Sequence, residues 1–562
     1  METNEQSIVR EVIADFNRRV AKRSHYDAVW KLNEEFFNGN QYRYIGADNS
    51  VFESSRDFYW QQRAVYNHIA PIIEARLARL SKIVPSMSIK PFSQNEEDIN
   101  AAKLSTKILT AITSKLGVND KIAEGTMWSE IAGSVFYKVV WDSQGGDEIA
   151  TLNGKIIKSG EVKMEVCSPY EIYPSDFQRP EIEYQQSIMH AKRLPVSEIF
   201  ERWGEVVEPT EDDTALVIEK YTASNDANPN GELIIVAGDK LVYKGEIPYA
   251  LGEDGERIFP FIKQDCLKTA GEFFGTSIVE RLIPVQRAYN SVKNRKHEFL
   301  NRLAMGVLAV EDGSVDIDNL EEEGLSPGKI LVYRMGSTPP KFMDGGSVPE
   351  EFGDEEEKLL SEFVTISGVS DILSSGNISS RITSATALQL LIEQEDERIN
   401  LSAQSIRSAL LKISKYILRL YKQFAKGTRF TKLAGNKKTE IIKWKNSDLG
   451  SDDVVFEVSE QISSSAKRNL LLQTFSAGLF NDKDGNVSSQ AKSKLLEILG
   501  FGGWEFLQNN NLNANKQNSN IDKTNISTDK QNVTEKQDTK IKENSKLTEL
   551  ATKNETIKQK KA

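Results

Sequence analysis

The residues able to carry chemistry are few in this chain, and their spacing gives them little to work with. The four histidines, His25, His68, His190 and His297, fall in separate elements with no HxH or HxxxH spacing. No single helix or strand face therefore offers two imidazoles to one metal ion. Cys167 and Cys266 are far apart, each in a strand-like context, and read as buried free thiols of a reducing compartment. A phosphate-binding loop needs Gly-x4-Gly-Lys followed by Ser or Thr, so that backbone amides and a hydroxyl meet phosphate and metal. The nearest stretch, Gly324-Leu325-Ser326-Pro327-Gly328-Lys329-Ile330, is one residue short and ends in Ile. It reads as a turn before a strand. Asp482-Lys483-Asp484 and Asp316-Ile317-Asp318 alternate acids as a calcium loop does, without its Gly at the sixth position and acid at the twelfth. There is no Gly-x-Ser-x-Gly elbow and no cysteine in a catalytic signature. No active site and no cofactor are expected, and the chain reads as something other than an enzyme.

Carboxylates are the one group in surplus. Glu350, Glu351, Asp354, Glu355, Glu356 and Glu357 crowd the first half of a helical stretch. In a lone chain such acids are a solvated face, favoured by the helix dipole. In a ring of subunits with this helix turned inward, each acid becomes a ring of negative charge that repels DNA from the wall. The net charge of -11 agrees with a protein that does not grip nucleic acid by neutralising phosphates. At 562 residues the chain has room for several domains. No run approaches the roughly 18 apolar residues of a membrane span, and residues 1–10 lack the basic start and apolar core of a secretory leader.

These residues are set on helices and strands that the pattern outlines. Residues 5–37 form an amphipathic helix ended by Asn38-Gly39-Asn40. A second helix is expected over 56–83, bent at Pro71, a third over 95–116, and a fourth over 119–131. At Gly133 the texture changes to strands: 134–142, then near 161–167, 187–193, 215–223, 232–237 and 257–266. Gly145-Gly146 and Asn153-Gly154 read as hairpin turns, and a short helix is expected over 195–203. Residues 1–270 thus make an α+β domain. Ser277 and Glu280 form a capping-box pattern opening a helix to about Leu303, with Pro284 expected to kink it or mark its start. Strand-like pieces at 306–312 and 328–334 flank an acidic loop, 316–324. A helix over 349–366 and a small polar loop follow. From Thr383 to Ala425 there is neither Pro nor Gly, and Leu388, Ile392, Ile399, Ile406, Leu410 and Ile417 keep helical spacing. That helix would span about 60 Å, more than a compact domain is wide, so a neighbouring subunit is the natural cover. Strands are expected near 428–433, 438–444 and 452–458, and helices near 463–479 and 489–499. From Gln508 the chain is polar, without aromatics, and reads as disordered.

Several local patterns, in this order, resemble the tailed-bacteriophage portal proteins, the rings that connect head to tail. They are Phe274-Gly275-Thr276-Ser277 through Pro284, Gln286 and Asn290; Leu325-Ser326-Pro327-Gly328; Ile366-Ser367-Gly368; and Thr383-Ser384-Ala385 opening the long helix. The spacing of Pro85 and Pro91 and the strand from Gly133 to Trp141 add to it. The resemblance covers about residues 30–500. It implies a ring of about a dozen subunits at one capsid vertex, a virion component assembled in the host cytoplasm. Residues 1–270 would be the wing, 271–303 and 349–368 the two stem helices, and 304–348 the clip. Residues 369–382 would be the tunnel loop, 383–426 the long helix, 427–460 a β segment of the wing, 461–507 the crown and 508–562 a polar tail. The tunnel loop would offer Ile372, Leu373, Ser374, Ser375, Asn377 and Arg381 to double-stranded DNA, and Glu355, Glu356 and Glu357 would form the channel's acidic rings. The clip, with Asp316, Asp318, Glu321, Glu322 and Glu323, would dock the terminase large subunit and later the head-completion or tail adaptor proteins. Major capsid and scaffolding proteins would be further partners, and no membrane is implied. The tail departs from the family pattern, since its composition does not suit an extended helical barrel. Another head-tail connector or tail adaptor is the alternative, and an enzyme with unrecognised motifs is a remoter one.

Overall fold

The chain opens with α1, Asn4–Phe37, whose Val9, Val12 and Phe16 recur at helical spacing and bury against a sheet. The computed structural model describes residues 4–55, 61–81, 87–152, 155–210, 212–226, 228–252, 255–305, 307–315, 330–343, 348–369, 385–434, 439–450 and 453–456. All of them lie in one compact unit formed by Met1–Gly435 and Thr439–Glu460. The expected helices of 463–499 and the polar tail fall outside the described residues.

After the small hairpin β1 (Arg43–Ile45) and β2 (Val51–Glu53) come α2 (Ile69–Leu80), β3 (Met87–Ile89), α3 (Glu96–Lys115) and α4 (Val118–Ala132). Helix α2 begins thirteen residues later than the sequence pattern suggests, and 61–68 carries no regular structure. Pro71 therefore sits in the first turn, where a missing N–H costs nothing, rather than bending a longer helix. Asn67 Oδ1 accepts the N–H groups of Ile69 and Ala70 there.

Strands β4 (Ser134–Asp142), β5 (Glu148–Leu152), β6 (Lys155–Lys158), β7 (Glu161–Cys167), β8 (Ile172–Pro174) and β9 (Ser187–Pro195) lead to α5 (Val196–Trp203). Then follow β10 (Thr214–Thr222), β11 (Glu232–Ala237), β12 (Lys240–Gly245) and β13 (Phe261–Asp265). They build a three-stranded sheet ordered β13-β4-β7 and a five-stranded sheet ordered β12-β11-β10-β9-β8, both antiparallel. The N-terminal half of α1 covers the larger sheet, packing on Met189, Ile218 and Val236.

The junction from α4 to β4 is as tight as backbone allows. Gly133 has φ +91°, and a Cβ there would stand 2.1 Å from the carbonyl oxygen of Gly275. Gly133→Ala is expected to lower stability by about 1–3 kcal/mol through backbone strain alone, with the clash added. A denaturant midpoint equal to that of the wild type would contradict this crossing.

The C-terminal half is helical around a small β element. Helix α6 (Ile278–Met305) starts where Ser277 Oγ accepts the Val279 N–H, and it continues through Pro284. Strand β14 (Val307–Ala309) pairs with β15 (Lys341–Met343), and α7 (Glu351–Ser367) and α8 (Ala385–Phe424) follow. The second strand expected at 328–334 is not found: 330–334 is irregular, with Ile330 and Val332 exposed. Alternating β-branched residues supply propensity but not a ladder partner. Finally β16 (Arg429–Ala434) pairs with β17 (Thr439–Trp444), and β18 (Val454–Phe456) with β3.

Helix α8 runs unbroken for 40 residues. Its Ile406, Leu410, Ile413 and Ile417 are buried, in one cluster with Ile108, Leu109 and Ile112 of α3 and Tyr137 and Val139 of β4. The cover of this half thus comes from the same chain. The inference from length to a neighbouring subunit does not hold there; the side chains of 385–398 fall outside the described residues.

Candidate functional site

Helix α6 carries a row of polar side chains at four-residue spacing, and the structure shows what they hold. Glu298 Oε1, Asn294 Oδ1, Asn290 Oδ1 and Gln286 Oε1 accept the backbone N–H groups of Gln62, Ala64, Tyr66 and His68, at 3.0, 3.1, 3.0 and 3.0 Å. Gln286 and Asn294 also donate to the carbonyls of Tyr66 and Ala64, at 2.8 and 2.9 Å. A helix rises about 6.0 Å in four residues, and an extended chain about 6.6 Å in two. One helix face therefore serves as the missing strand for 62–68. Gln286, Asn290 and Asn294 are buried, and Asn290 Nδ2 donates to Gln41 Oε1 at 2.6 Å.

Against α6 lies α7, the acidic helix. Leu359 and Phe363 are buried in the same cluster as Leu282, Val285 and Tyr289 of α6, and Phe352 approaches Phe299. These seam positions, 352, 359 and 363, include 356 in their spacing. Glu356 accordingly turns inward and pairs with Lys293 and Lys296, both at 3.2 Å. Partial burial works against its charge, but hydrogen bonds from the two lysines prevail and hold the carboxyl below its ordinary pKa. Glu355 and Glu357 are exposed. The three acids grouped in the sequence thus divide: two face solvent in the isolated chain, and one is neutralised inside the helix pair. The seam spacing was the sequence signal for this division.

One side chain ties the end of α7 to the middle of α8. Arg76 of α2 donates to the carbonyl of Ser367, the last residue of α7, and to Ser402 Oγ of α8 at 3.2 Å. Its Nε and Nη2 reach Glu130 of α4 at 2.6 and 3.2 Å. Both charged side chains are buried. Burial opposes the guanidinium's charge, and Glu130 outweighs that and raises its pKa. Gly368, at φ +71°, ends α7 by donating to the Val364 carbonyl. The segment between α7 and α8, with Ile372, Leu373, Ser374, Ser375, Asn377 and Arg381, lies outside the described residues, as do Asp316, Asp318, Glu321, Glu322 and Glu323.

Two residues the sequence kept apart are brought together elsewhere. Cys167 Sγ and His190 Nε2 are 3.7 Å apart, on strands of different sheets. Their proximity depends on sheet packing, which no local spacing could reveal. Among the described residues no helix is long and apolar enough to cross a membrane.

No curated relative matches the chain. Residues 193–469 match the family model described as phage P22-like portal protein. Through that segment, which carries α6, α7 and α8, the chain is similar to the P22-like portal proteins of tailed phages.

Proposed function

We propose that the chain forms a ring of about a dozen copies at one capsid vertex, through which double-stranded DNA enters during packaging and leaves during ejection. The observation that carries this reading is the family match across α6, α7 and α8. The α6–α7 pair lines the channel, and Glu355 and Glu357 present its negative rings. The segment between α7 and α8 projects toward the DNA. Residues 304–348 dock the terminase large subunit and afterwards the head-completion or tail adaptor proteins, with capsid and scaffolding proteins contacted in assembly. The energy for packaging comes from the docked motor, since the chain's sequence offers no nucleotide-binding loop.

Negative-stain images of the purified full chain should show rings; a monomer under all assembly conditions would count against the proposal. Function is read separately. The double variant Glu355→Lys/Glu357→Lys should assemble normally and lower packaged DNA by about tenfold or more, because lysines at the wall attract phosphate and stall sliding. Normal packaging would place these acids outside the channel. Glu356→Lys should instead fail earlier, by setting a third cation beside Lys293 and Lys296, and should show as lost thermal stability before any packaging step.

A further inference from the structure

The contact between Cys167 and His190 has a third member. Cys167 closes β7, His190 stands in β9, and Glu171 lies in the short turn that leads into β8. Strand pairing sets the geometry: Cys167 opposes Phe136 of β4, and His190 opposes both Ile172 of β8 and Glu219 of β10. The Cys167 Sγ, His190 Nε2 and a Glu171 carboxylate oxygen lie within 4.8 Å of one another. The Sγ to Nε2 distance is 3.7 Å, and that from Nε2 to Glu171 Oε2 is 3.3 Å. A tetrahedral zinc ion with bonds of about 2.3 Å to sulfur and 2.0–2.1 Å to nitrogen and oxygen requires ligand separations of about 3.5 Å and 3.3 Å. Two of the three separations therefore already match such a site, and the third, from sulfur to carboxylate, is no more than 4.8 Å.

From this arrangement we infer that Cys167, Glu171 and His190 bind a divalent transition-metal ion, zinc by preference, with water at the fourth corner. A thiolate, an imidazole and a carboxylate select zinc over magnesium or calcium, which favour oxygen-only shells. The surroundings supply what such a site needs. Glu219 Oε2 is 3.8 Å from His190 Nδ1, on the ring edge away from the metal, where a carboxylate fixes the imidazole tautomer. Lys138 donates to both Glu219 oxygens, at 2.7 and 2.6 Å, and Tyr221 donates to Oε2 at 2.7 Å. Lys138 Nζ also stands 3.4 Å from Nδ1. For the Nδ1 proton to reach Glu219, Lys138 must swing off Nδ1 and the 3.8 Å gap must close to hydrogen-bond length, about 2.7–3.2 Å. With metal bound, the thiolate and two carboxylates are matched by one ammonium and one divalent ion, so the buried cluster carries no net charge. Cys167 and His190 are sealed from solvent, whereas the Glu171 side chain is 23% exposed. The ion and its water would enter past Glu171. The site would staple the three-stranded sheet to the five-stranded one.

The competing account is a metal-free network in which His190 donates to Glu171 and accepts from Lys138. Titrating the chelator-treated full chain with Co²⁺ separates the two. The expected result is one equivalent bound, with tetrahedral d–d bands and a thiolate-to-cobalt charge-transfer band, all displaced by Zn²⁺. Cys167→Ser should abolish the charge-transfer band, and Cys266→Ser should leave it intact. Glu171→Gln, at the partly exposed position and the variant least able to disturb folding, should weaken Zn²⁺ binding at least about tenfold. Zn²⁺ should also raise the melting temperature of the wild type and not of Cys167→Ser. Absence of the band at stoichiometric Co²⁺, its persistence in Cys167→Ser, or equal Zn²⁺ affinity in Glu171→Gln would overturn the site and leave the hydrogen-bonded network.

Discussion

Arg76→Ala is expected to cost about 3–5 kcal/mol of folding stability, the range seen when one partner of a buried ion pair is removed. The guanidinium is 4% exposed and its partner Glu130 is fully buried. Truncation leaves the Glu130 carboxylate without its counter-charge, and the Ser367 carbonyl and Ser402 hydroxyl each lose a donor. Cys266 stands 3.5 Å from Glu130 and offers only a weak S–H donor in exchange. Arg76→Lys should recover part of the loss, because an ammonium keeps the charge but cannot reach three partners in one plane. The paired change Arg76→Met/Glu130→Gln should cost less than Arg76→Ala alone, since it removes the stranded charge. Denaturant unfolding of the four proteins makes the comparison. An Arg76→Ala variant within about 1 kcal/mol of wild type would mean that water already solvates Glu130. Because the same side chain ties the end of α7 to α8, protease cleavage between 369 and 385 should accelerate in Arg76→Ala.

The second large effect is expected at Asn290. Leucine there is similar in size and a better helix former, so a purely packing role predicts little change. The structure predicts a loss of about 3–5 kcal/mol, at about 1–3 kcal/mol for each buried polar group left unpaired. Asn290 accepts the Tyr66 N–H and a Gln286 amide hydrogen, and it donates to Gln41 Oε1. Asn290→Asp tests the geometry further. A carboxylate still accepts from Tyr66 but cannot donate to Gln41, so it should fall between wild type and Asn290→Leu. Amide hydrogen exchange adds a local readout: the Tyr66 N–H should be protected in wild type and released in Asn290→Leu. A protected Tyr66 N–H in the leucine variant would show that the row does not hold 62–68.

Much of the fold was legible because periodicity is a local property. The strands β7 and β11 fall where alternation places them, and α4 ends at the glycine that looks like its end. The misses share a cause. The 61–68 segment lacks helix because Gln286, Asn290, Asn294 and Glu298, more than 200 residues away, satisfy its backbone. Polar residues at four-residue spacing look no different from an ordinary solvated helix face. Strand β3 is only three residues long and exists through pairing with β18. The Cys167–His190 approach follows from how two sheets pack. Glu356 was a different kind of miss, since the spacing with Phe352, Leu359 and Phe363 already put it on the seam. Counting acids obscured their direction.

The row on α6 has a mechanical consequence. Its step of about 6.0 Å and the extended chain's step of about 6.6 Å work as a vernier. They stay in phase over the four rungs observed and drift apart beyond them, which bounds the length of any such coupling. Within those rungs the four side chains follow one i, i+4 ridge, which winds about 40° around the axis at each step. A quarter turn of α6 about its own axis would break every rung together, whereas a tilt or axial shift that carries 62–68 along would break none. The pair behaves as a keyed shaft: free to move as one body, locked against twist.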